Sequence, residues 1–218
     1  NSIEKDHKSV GPSFLQLAAE GPRVLVEASM LMVSWGSLRR LAPQSDAHPV
    51  LVLPGFMGGD GSTLLLRRYL DSLGYSSLPW LQGQNIGRVE LLEGVMRRFY
   101  RAHQSYGTQI SLIGQSLGGV FARKIAQQFP DAVRCVITLG SPFNSQSDEV
   151  ANPAVARLFE SVSGSTVEEM RQQSEAFEAS EPVGVPSTAI YSRTDGVVDW
   201  RACIEPATEI SENVEVRG

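Results

Sequence analysis

The stretch SLIGQSLGGV, residues 111–120, decides the fold. Its apolar first half predicts a strand, and the helical pattern of residues 117–130 predicts a helix directly after it. Ser116 stands between these two elements, and Gly114 and Gly118 flank it in the pattern Gly-x-Ser-x-Gly. Glycines at a tight turn from strand to helix predict a strained corner that exposes the serine hydroxyl at the carboxyl end of a sheet. The alternative is a serine that only caps the helix.

From residue 49 onward, short apolar runs alternate with helical patterns. Runs bounded by turn residues predict strands, and longer amphipathic patterns predict helices. The predicted strands cover residues 49–54, 75–80, 108–114, 132–140, 187–192 and 213–217. The predicted helices cover residues 62–74, 88–107 and 117–130. This alternation predicts an α/β fold, a mostly parallel sheet with helices on both faces.

The chain has 218 residues, of which 42% are hydrophobic, which predicts one domain with a substantial core. Residues 1–47 are interpreted as an N-terminal helical extension. Its apolar spacing over residues 24–38 predicts an amphipathic helix packed on the domain, with a membrane-surface helix as the alternative. The polar, glutamate-rich residues 144–186 break the alternation and predict a helical cap or lid inserted over one end of the sheet.

Charge and cysteine content limit the partners. The formal net charge is −5 and no run of lysine and arginine occurs, so a nucleic-acid partner is not expected. Cys135 and Cys203 lack the spacing of metal ligands and are interpreted as buried thiols, with a disulfide left open. No signal peptide is visible, which favours a cytoplasmic protein without membrane contact, although the sequence begins without methionine.

A glycine-rich loop, LPGFMGGDGS at residues 53–62, follows the first predicted strand. Its glycines let the backbone approach a ligand closely. In acyl transfer, the oxyanion of the tetrahedral intermediate needs two N–H donors. One is expected from Leu117, directly after the serine, and the other from Phe56 in this loop. The alternative is a plain flexible turn.

A serine hydroxyl also needs a general base, and that base needs a carboxylate to hold it. The segment TAIYSRTDGVVDW, residues 188–200, offers two carboxylates after a late strand. Asp195 is favoured because it lies in the turn directly after the strand. Asp199 is expected to cap or begin the next helix.

Four motifs in this order, PVLVLPGFMGGDGST, SLIGQSLGG, VITLGSPF and IYSRTDGVVDW, resemble those of the α/β-hydrolase superfamily, in particular a bacterial esterase/lipase-like branch. The resemblance covers roughly residues 48–218. It implies a serine hydrolase that cleaves carboxylic esters of small molecules. If the predicted lid closes an apolar pocket, substrates with acyl chains are favoured. By position in the motifs it implies Ser116 as nucleophile, Asp195 as acid, and the Phe56 and Leu117 amides as oxyanion hole. Neither metal nor cofactor is implied, and a thioesterase or acyltransferase would use the same residues.

The histidine of this catalytic set is missing from its expected place. The family order is serine, acid, histidine, yet the three histidines, His7, His48 and His103, all precede Ser116. His48 and His103 are expected at the opposite end of the sheet, with His48 on the surface. The interpretation is that the sequence stops one or two residues short of the catalytic histidine, directly after the last strand. The alternative is a non-catalytic scaffold of the same fold that binds a small molecule or a protein partner.

Overall fold

The structure, a computed structural model, describes residues 29–43, 45–144, 153–164 and 181–217. Six strands form one sheet in the order β2-β1-β3-β4-β5-β6, and every neighbouring pair is parallel. The strands are β1 Pro49–Leu53, β2 Ser76–Leu78, β3 Ile110–Gln115, β4 Val133–Leu139, β5 Ser187–Tyr191 and β6 Ser211–Glu215. The predicted mostly parallel α/β sheet is confirmed.

Five α-helices lie in the described ranges. They are α1, whose described part covers residues 29–41, α2 Leu64–Ser72, α3 Val89–Tyr106, α4 Leu117–Gln128 and α5 Pro153–Ser163. Two single-turn 3₁₀ helices, Pro130–Ala132 and Trp200–Cys203, lie beside the sheet. Helix α3 ends at Gly107, whose φ of 64° provides the left-handed conformation that closes many helices.

The core lies on both faces of the central strands. On one face, Leu51 and Leu112 pack in a cluster with α3 and α4 side chains such as Phe99 and Ile125. On the other face, Val50, Val52 and Ile113 pack against Leu66 and Leu70 of α2. Because both of its faces are covered, β1 is buried along its whole length. This burial explains why a continuous apolar run, rather than an alternating pattern, predicted the strand.

The order of the strands determines where a ligand can bind. The chain leaves β1 for β2 on one side and then returns to β3 on the other side of β1. In open parallel sheets, ligands bind outside the carboxyl ends of the strands at such a reversal. The loop after β1 and the turn after β3 meet at that point.

The last strand differs from the prediction. β6 begins at Ser211, two residues earlier than predicted, and ends at Glu215. Its pairing with β5 runs from Ser187↔Ser211 to Tyr191↔Glu215. The early part of β6 is polar and exposed, so it carries none of the apolar signal on which the prediction depended.

Helix α1 packs on the domain over a narrower face than predicted. The Trp35 ring meets the Tyr69 ring edge-on, with centroids 5.2 Å apart. Met32 and Leu38, two residues of the predicted packing face, are 71% and 39% exposed. The helix carries apolar residues on nearly all sides, so one flank against α2 cannot cover them. Residues 24–28 of the predicted helix lie outside the described residues.

Other expectations are answered in part. The helix predicted inside residues 144–186 is observed as α5, whereas residues 145–152 and 165–180 lie outside the described residues, and the lid stays a prediction. Cys135 and Cys203 are free thiols, so they form no disulfide; Cys203 is buried as predicted, whereas Cys135 is only partly buried. Over the described parts of the chain, no helix combines the length and the apolar character needed to cross a bilayer.

Candidate active site

Ser116 stands at a strained corner between β3 and α4. Its backbone has φ 49° and ψ −122°, a combination that non-glycine residues rarely adopt. Hydrogen bonds hold the corner on both sides. The Ser116 N–H donates to the Leu139 carbonyl at 2.8 Å, and the Ser116 carbonyl accepts from the Gly119 N–H at 2.9 Å. The Ser116 side chain makes no capping hydrogen bond to α4, so a mere helix cap does not account for this serine.

The glycines around Ser116 are required by close approach of the backbone. A Cβ atom on Gly118 would overlap the carbonyl oxygen of Leu53. A Cβ atom on Gly114 would overlap the backbone of Gly118 and Gly119. Because these side chains are absent, the first turn of α4 lies directly against the end of β1. The same contact brings the loop after β1 to the serine.

Two backbone N–H groups flank Ser116 and remain available to a ligand. Leu117 is the first residue of α4, where an N–H has no acceptor within the helix. Phe56 lies in the loop after β1, and a Cβ atom on its neighbour Gly55 would lie 3.2 Å from the Ser116 Cβ. Among the described residues, neither the Leu117 nor the Phe56 N–H has a hydrogen-bond acceptor. An oxygen that carries negative charge is a suitable acceptor for such N–H groups.

Asp195 lies in the turn after β5, as predicted. Its Oδ1 accepts hydrogen bonds from the N–H groups of Val197 at 2.8 Å and Val198 at 3.0 Å. Its Oδ2 faces the end of β4, where a Cβ atom on Gly140 would lie 3.1 Å away. In the sheet order, β4 separates β5, which precedes Asp195, from β3, which precedes Ser116.

Asp199 has the capping role that was expected for it. It is the N-cap of the 3₁₀ helix Trp200–Cys203, and its Oδ1 accepts from the Arg201 N–H at 3.0 Å. The nearby Cys203 is buried, and burial, followed by the negative charges of Asp195 and Asp199, raises the pKa of its thiol. This thiol therefore stays protonated, and it is a poor nucleophile.

One cleft collects three of the four predicted site residues, whereas Leu117 is buried and does not line it. It encloses about 600 Å³, and Ser116, Asp195 and Phe56 all line it. Most of its remaining wall is apolar, from side chains that include Leu139, Val155, Ile190, Tyr191, Val197, Val198 and Val216. A cleft with apolar walls and a few convergent polar groups is typical of a small-molecule site.

The histidines that the structure describes lie away from this cleft. His48, at the start of β1, bonds to Asp46 through Nδ1 and to the Ser111 Oγ through Nε2 at 2.8 Å. The prediction of a surface position for His48 is wrong, because these partners leave its side chain only 12% exposed. Ser111 is 4% exposed, so this second Asp-His-Ser arrangement is closed to substrate.

The remaining histidines give no base at the cleft either. The Nδ1 of His103 lies 3.0 Å from the Thr108 carbonyl oxygen, at the end of α3. His7 lies outside the described residues. Within the ranges that the structure covers, no cluster of three or more histidine, cysteine, aspartate or glutamate side chains is arranged to hold a metal ion.

Sequence analysis missed one polar residue behind the glycine-rich loop. Asn85 is completely buried and bonds to three residues of that loop. The only sequence signal is its place between Gly83 and Gly87, which predicts a turn rather than a contact 31 residues away.

Comparisons with known proteins agree with the fold. A family model described as alpha/beta hydrolase fold matches residues 73–168. A carboxylesterase of Bacillus subtilis (strain 168) is 27% identical over 165 residues, which cover 70% of this chain and 64% of that protein. The chain therefore spans less than two thirds of the length of this relative.

Solved structures share the fold. A monoacylglycerol lipase of Paleococcus ferrophilus superposes with a TM-score of 0.57 at 17% identity, over 78% of this chain and 84% of that chain. Lipase B of Aspergillus fumigatus superposes with a TM-score of 0.56 at 17% identity, over 77% of this chain and 44% of that chain. At such identities the likeness concerns the fold alone.

Proposed function

We propose that the chain, whose sequence and fold are similar to those of α/β-hydrolases such as esterases and lipases, hydrolyses carboxylic esters through an acyl-enzyme on Ser116. The observation that carries the proposal is the corner at Ser116. A backbone with φ 49° costs about 1–3 kcal/mol, and a serine whose side chain does not cap its helix has no need of that strain for helix capping. The proposal explains this strain as the means of presenting a nucleophile to the cleft.

The chemistry follows from the groups around the serine. The Ser116 Oγ attacks the ester carbonyl carbon, and its proton passes to a general base. The N–H groups of Phe56 and Leu117 donate to the oxyanion of the tetrahedral intermediate. The base returns the proton to the alcohol oxygen as the C–O bond breaks, which leaves an acyl-enzyme. Water, deprotonated by the same base, attacks the acyl carbon, releases the carboxylic acid and restores the serine.

We assign the role of base to a histidine oriented by Asp195. Neither His48 nor His103 can serve, since both are bonded at the other end of the sheet. Val216, just after β6, lines the cleft. We therefore place the histidine in the segment that follows β6, and the proposal requires it to reach both Asp195 and Ser116.

The cleft walls favour an ester with an apolar acyl chain. Apart from Ser116 and Asp195, its side chains are largely aliphatic or aromatic. Phe159 of α5 packs against the Phe56 ring, with centroids 5.0 Å apart, which fixes α5 beside the oxyanion loop. In this proposal α5 forms one wall of the acyl site and belongs to a cap over residues 144–186.

The test is labelling of the full-length chain with a fluorophosphonate, which forms a covalent bond to an activated serine. We expect one adduct, and peptide mapping should place it on Ser116. The variant Ser116→Ala should carry none. Ser111→Ala is the matched control, because Ser111 bonds to a histidine at the buried end of the sheet, and it should label like wild type. An adduct on Ser111, or none on folded wild type, would refute the proposal.

A non-catalytic scaffold is the second candidate. It is favoured by one observation, that the described residues place no histidine at the cleft. A full-length chain that takes no adduct, yet binds a hydrophobic carboxylic acid in the cleft by calorimetry, would support it. For a labelled enzyme, comparing turnover of p-nitrophenyl esters, acyl thioesters and alcohol acceptors separates esterase, thioesterase and acyltransferase.

A further inference from the structure

We propose that Asn85 is a positioning residue that aims the Phe56 N–H into the oxyanion hole. This inference rests on the proposed function, because it assigns a role to a residue that holds the loop after β1. The loop, residues 54–58, has no regular secondary structure. Its peptide groups need partners elsewhere to keep one orientation.

Asn85 bonds to this loop on both sides of Phe56. Its side-chain Nδ2 donates to the Pro54 carbonyl at 2.8 Å. Its backbone carbonyl accepts from the Met57 N–H at 2.7 Å, and its backbone N–H donates to the Gly58 carbonyl at 2.7 Å. Asn85 thereby fixes the Pro54–Gly55 and Phe56–Met57 peptide groups, which lie on either side of the Gly55–Phe56 peptide group, while the N–H of that middle group stays available.

The side-chain amide is the part of Asn85 that another residue cannot replace. It is wholly buried, and its Oδ1 accepts from the Gly87 N–H at 3.2 Å while its Nδ2 donates to Pro54. A buried group must supply a donor to the carbonyl and an acceptor to the N–H. Leucine has neither, and an ionised aspartate has no donor.

The Pro54 carbonyl also joins the two halves of the oxyanion hole. A Cβ atom on Gly118 would lie 2.6 Å from the Pro54 carbonyl oxygen, so the first turn of α4 rests against it. Asn85 therefore holds the point where the Phe56 loop meets the helix of Leu117. A shift of this carbonyl moves the two N–H donors relative to each other.

Asn85 is itself held firmly. The Asp60 carboxylate accepts from the N–H groups of Trp80 at 2.8 Å and Leu81 at 3.2 Å. The buried Trp80 indole donates to the Gly83 carbonyl at 2.8 Å. Asp60 belongs to the glycine-rich loop at residues 53–62, so the segment before Asn85 is anchored to that loop. This anchoring holds the Asn85 side chain in place.

The kinetic test compares Asn85→Leu with Val95→Ala in the full-length chain. Val95 is a buried core residue of α3 outside the cleft, so its truncation lowers stability without touching the loop. We expect Asn85→Leu to lower kcat for a p-nitrophenyl ester about 100-fold with KM within threefold, as for the loss of one oxyanion donor. Val95→Ala should keep kcat. A kcat loss no larger in Asn85→Leu than in Val95→Ala would overturn the inference.

Asn85→Asp keeps the inference testable if the leucine variant does not fold. Its ionised carboxylate cannot donate to the Pro54 carbonyl, whereas its protonated form can. We expect its kcat, relative to wild type, to rise as the pH is lowered through the ionisation of the new carboxyl. A ratio that does not change with pH would contradict the inference.

Hydrogen exchange separates this inference from the proposed function. The amides of residues 55–58 should exchange at least tenfold faster in Asn85→Leu than in Val95→Ala. If wild type hydrolyses no ester, the proposed function fails, and exchange alone decides whether Asn85 holds the loop. Unchanged exchange in residues 55–58 would overturn it.

Discussion

At Ser116 a strained backbone is held by bonds from two directions. Its N–H bonds to Leu139 on β4, and its carbonyl bonds within α4, so relaxing φ would break contacts to both elements. The strain of about 1–3 kcal/mol is therefore offset by its surroundings. Because the neighbouring N–H of Leu117 lies at the open end of the helix, the proposed mechanism uses the same corner for the nucleophile and for one donor to its oxyanion.

At the opposite end of the sheet, the Asp46 carboxylate has a structural role that depends on pH. Hydrogen bonds from His48 and then Arg134 lower the pKa of Asp46 below its ordinary value of 3.8. A carboxyl whose pKa is lower in the folded state contributes stability above pH 3.8, and that contribution is lost as the pH falls through the folded pKa. We predict that Asp46→Asn loses stability relative to wild type at pH 7, and that the difference shrinks by pH 3.

The measurement is the urea midpoint of each variant at pH 7 and pH 3. Asp131→Asn, which changes an exposed carboxylate elsewhere, is the control and should show a smaller difference at pH 7. An Asp46→Asn midpoint equal to that of wild type at pH 7 would mean that the carboxylate contributes nothing to the fold.

At the scale of elements, a buried ion pair joins α4, the helix that follows Ser116, to the segment after Asp195. Arg123 of α4 and Glu205 are 0% and 1% exposed, and Nη1 lies 2.5 Å from Oε2. Arg123 also donates to the Glu181 carbonyl at 2.7 Å and lies over the Phe143 ring at 4.0 Å. Glu205 is tied in turn to β6, since its N–H and carbonyl bond to the Asn213 side chain.

We predict that Arg123→Met destabilises the protein by about 3–5 kcal/mol, because it leaves the Glu205 carboxylate buried without its partner. The double variant Arg123→Met/Glu205→Leu removes both charges and should recover much of that loss. Urea unfolding of wild type, both single variants and the double variant measures the coupling. A double variant less stable than either single variant would show that the loss comes from packing rather than from an unpaired charge.

The sequence predicted those parts of the molecule whose signal is local. The glycines two residues on either side of Ser116 predict the corner, and Asp195 could be chosen because it lies in the turn directly after an apolar strand. Asn85, by contrast, bonds to Pro54 31 residues earlier, and Arg123 pairs with Glu205 82 residues later. Such contacts depend on how elements assemble, and a single buried polar residue has no periodicity to reveal it.

On the scale of the whole molecule, the cleft is assembled from separate parts of the chain. Phe56 comes from the loop after β1, Val155 from α5, Ile190 from β5 and Val216 from the end of β6. The reversal of strand order beside β1 brings the first loop to the turn of Ser116. The depth of the cleft is therefore a property of the assembly, and a substitution on one wall can change it without touching Ser116 or Asp195.

We predict that Val155→Trp shortens the acyl chain that the cleft accepts. Val155 is partly exposed on α5 and lines the cleft, so a larger side chain there fills apolar volume while the core stays intact. Losing contacts for a few methylene groups lowers kcat/KM for an octanoyl p-nitrophenyl ester at least tenfold, while the acetyl ester changes little. Leu158→Trp is the matched control, because Leu158 lies on the same helix, 49% exposed and outside the cleft, and its chain-length profile should equal that of wild type. If Val155→Trp and Leu158→Trp have the same profile, α5 is not a wall of the acyl site and the cap has another role.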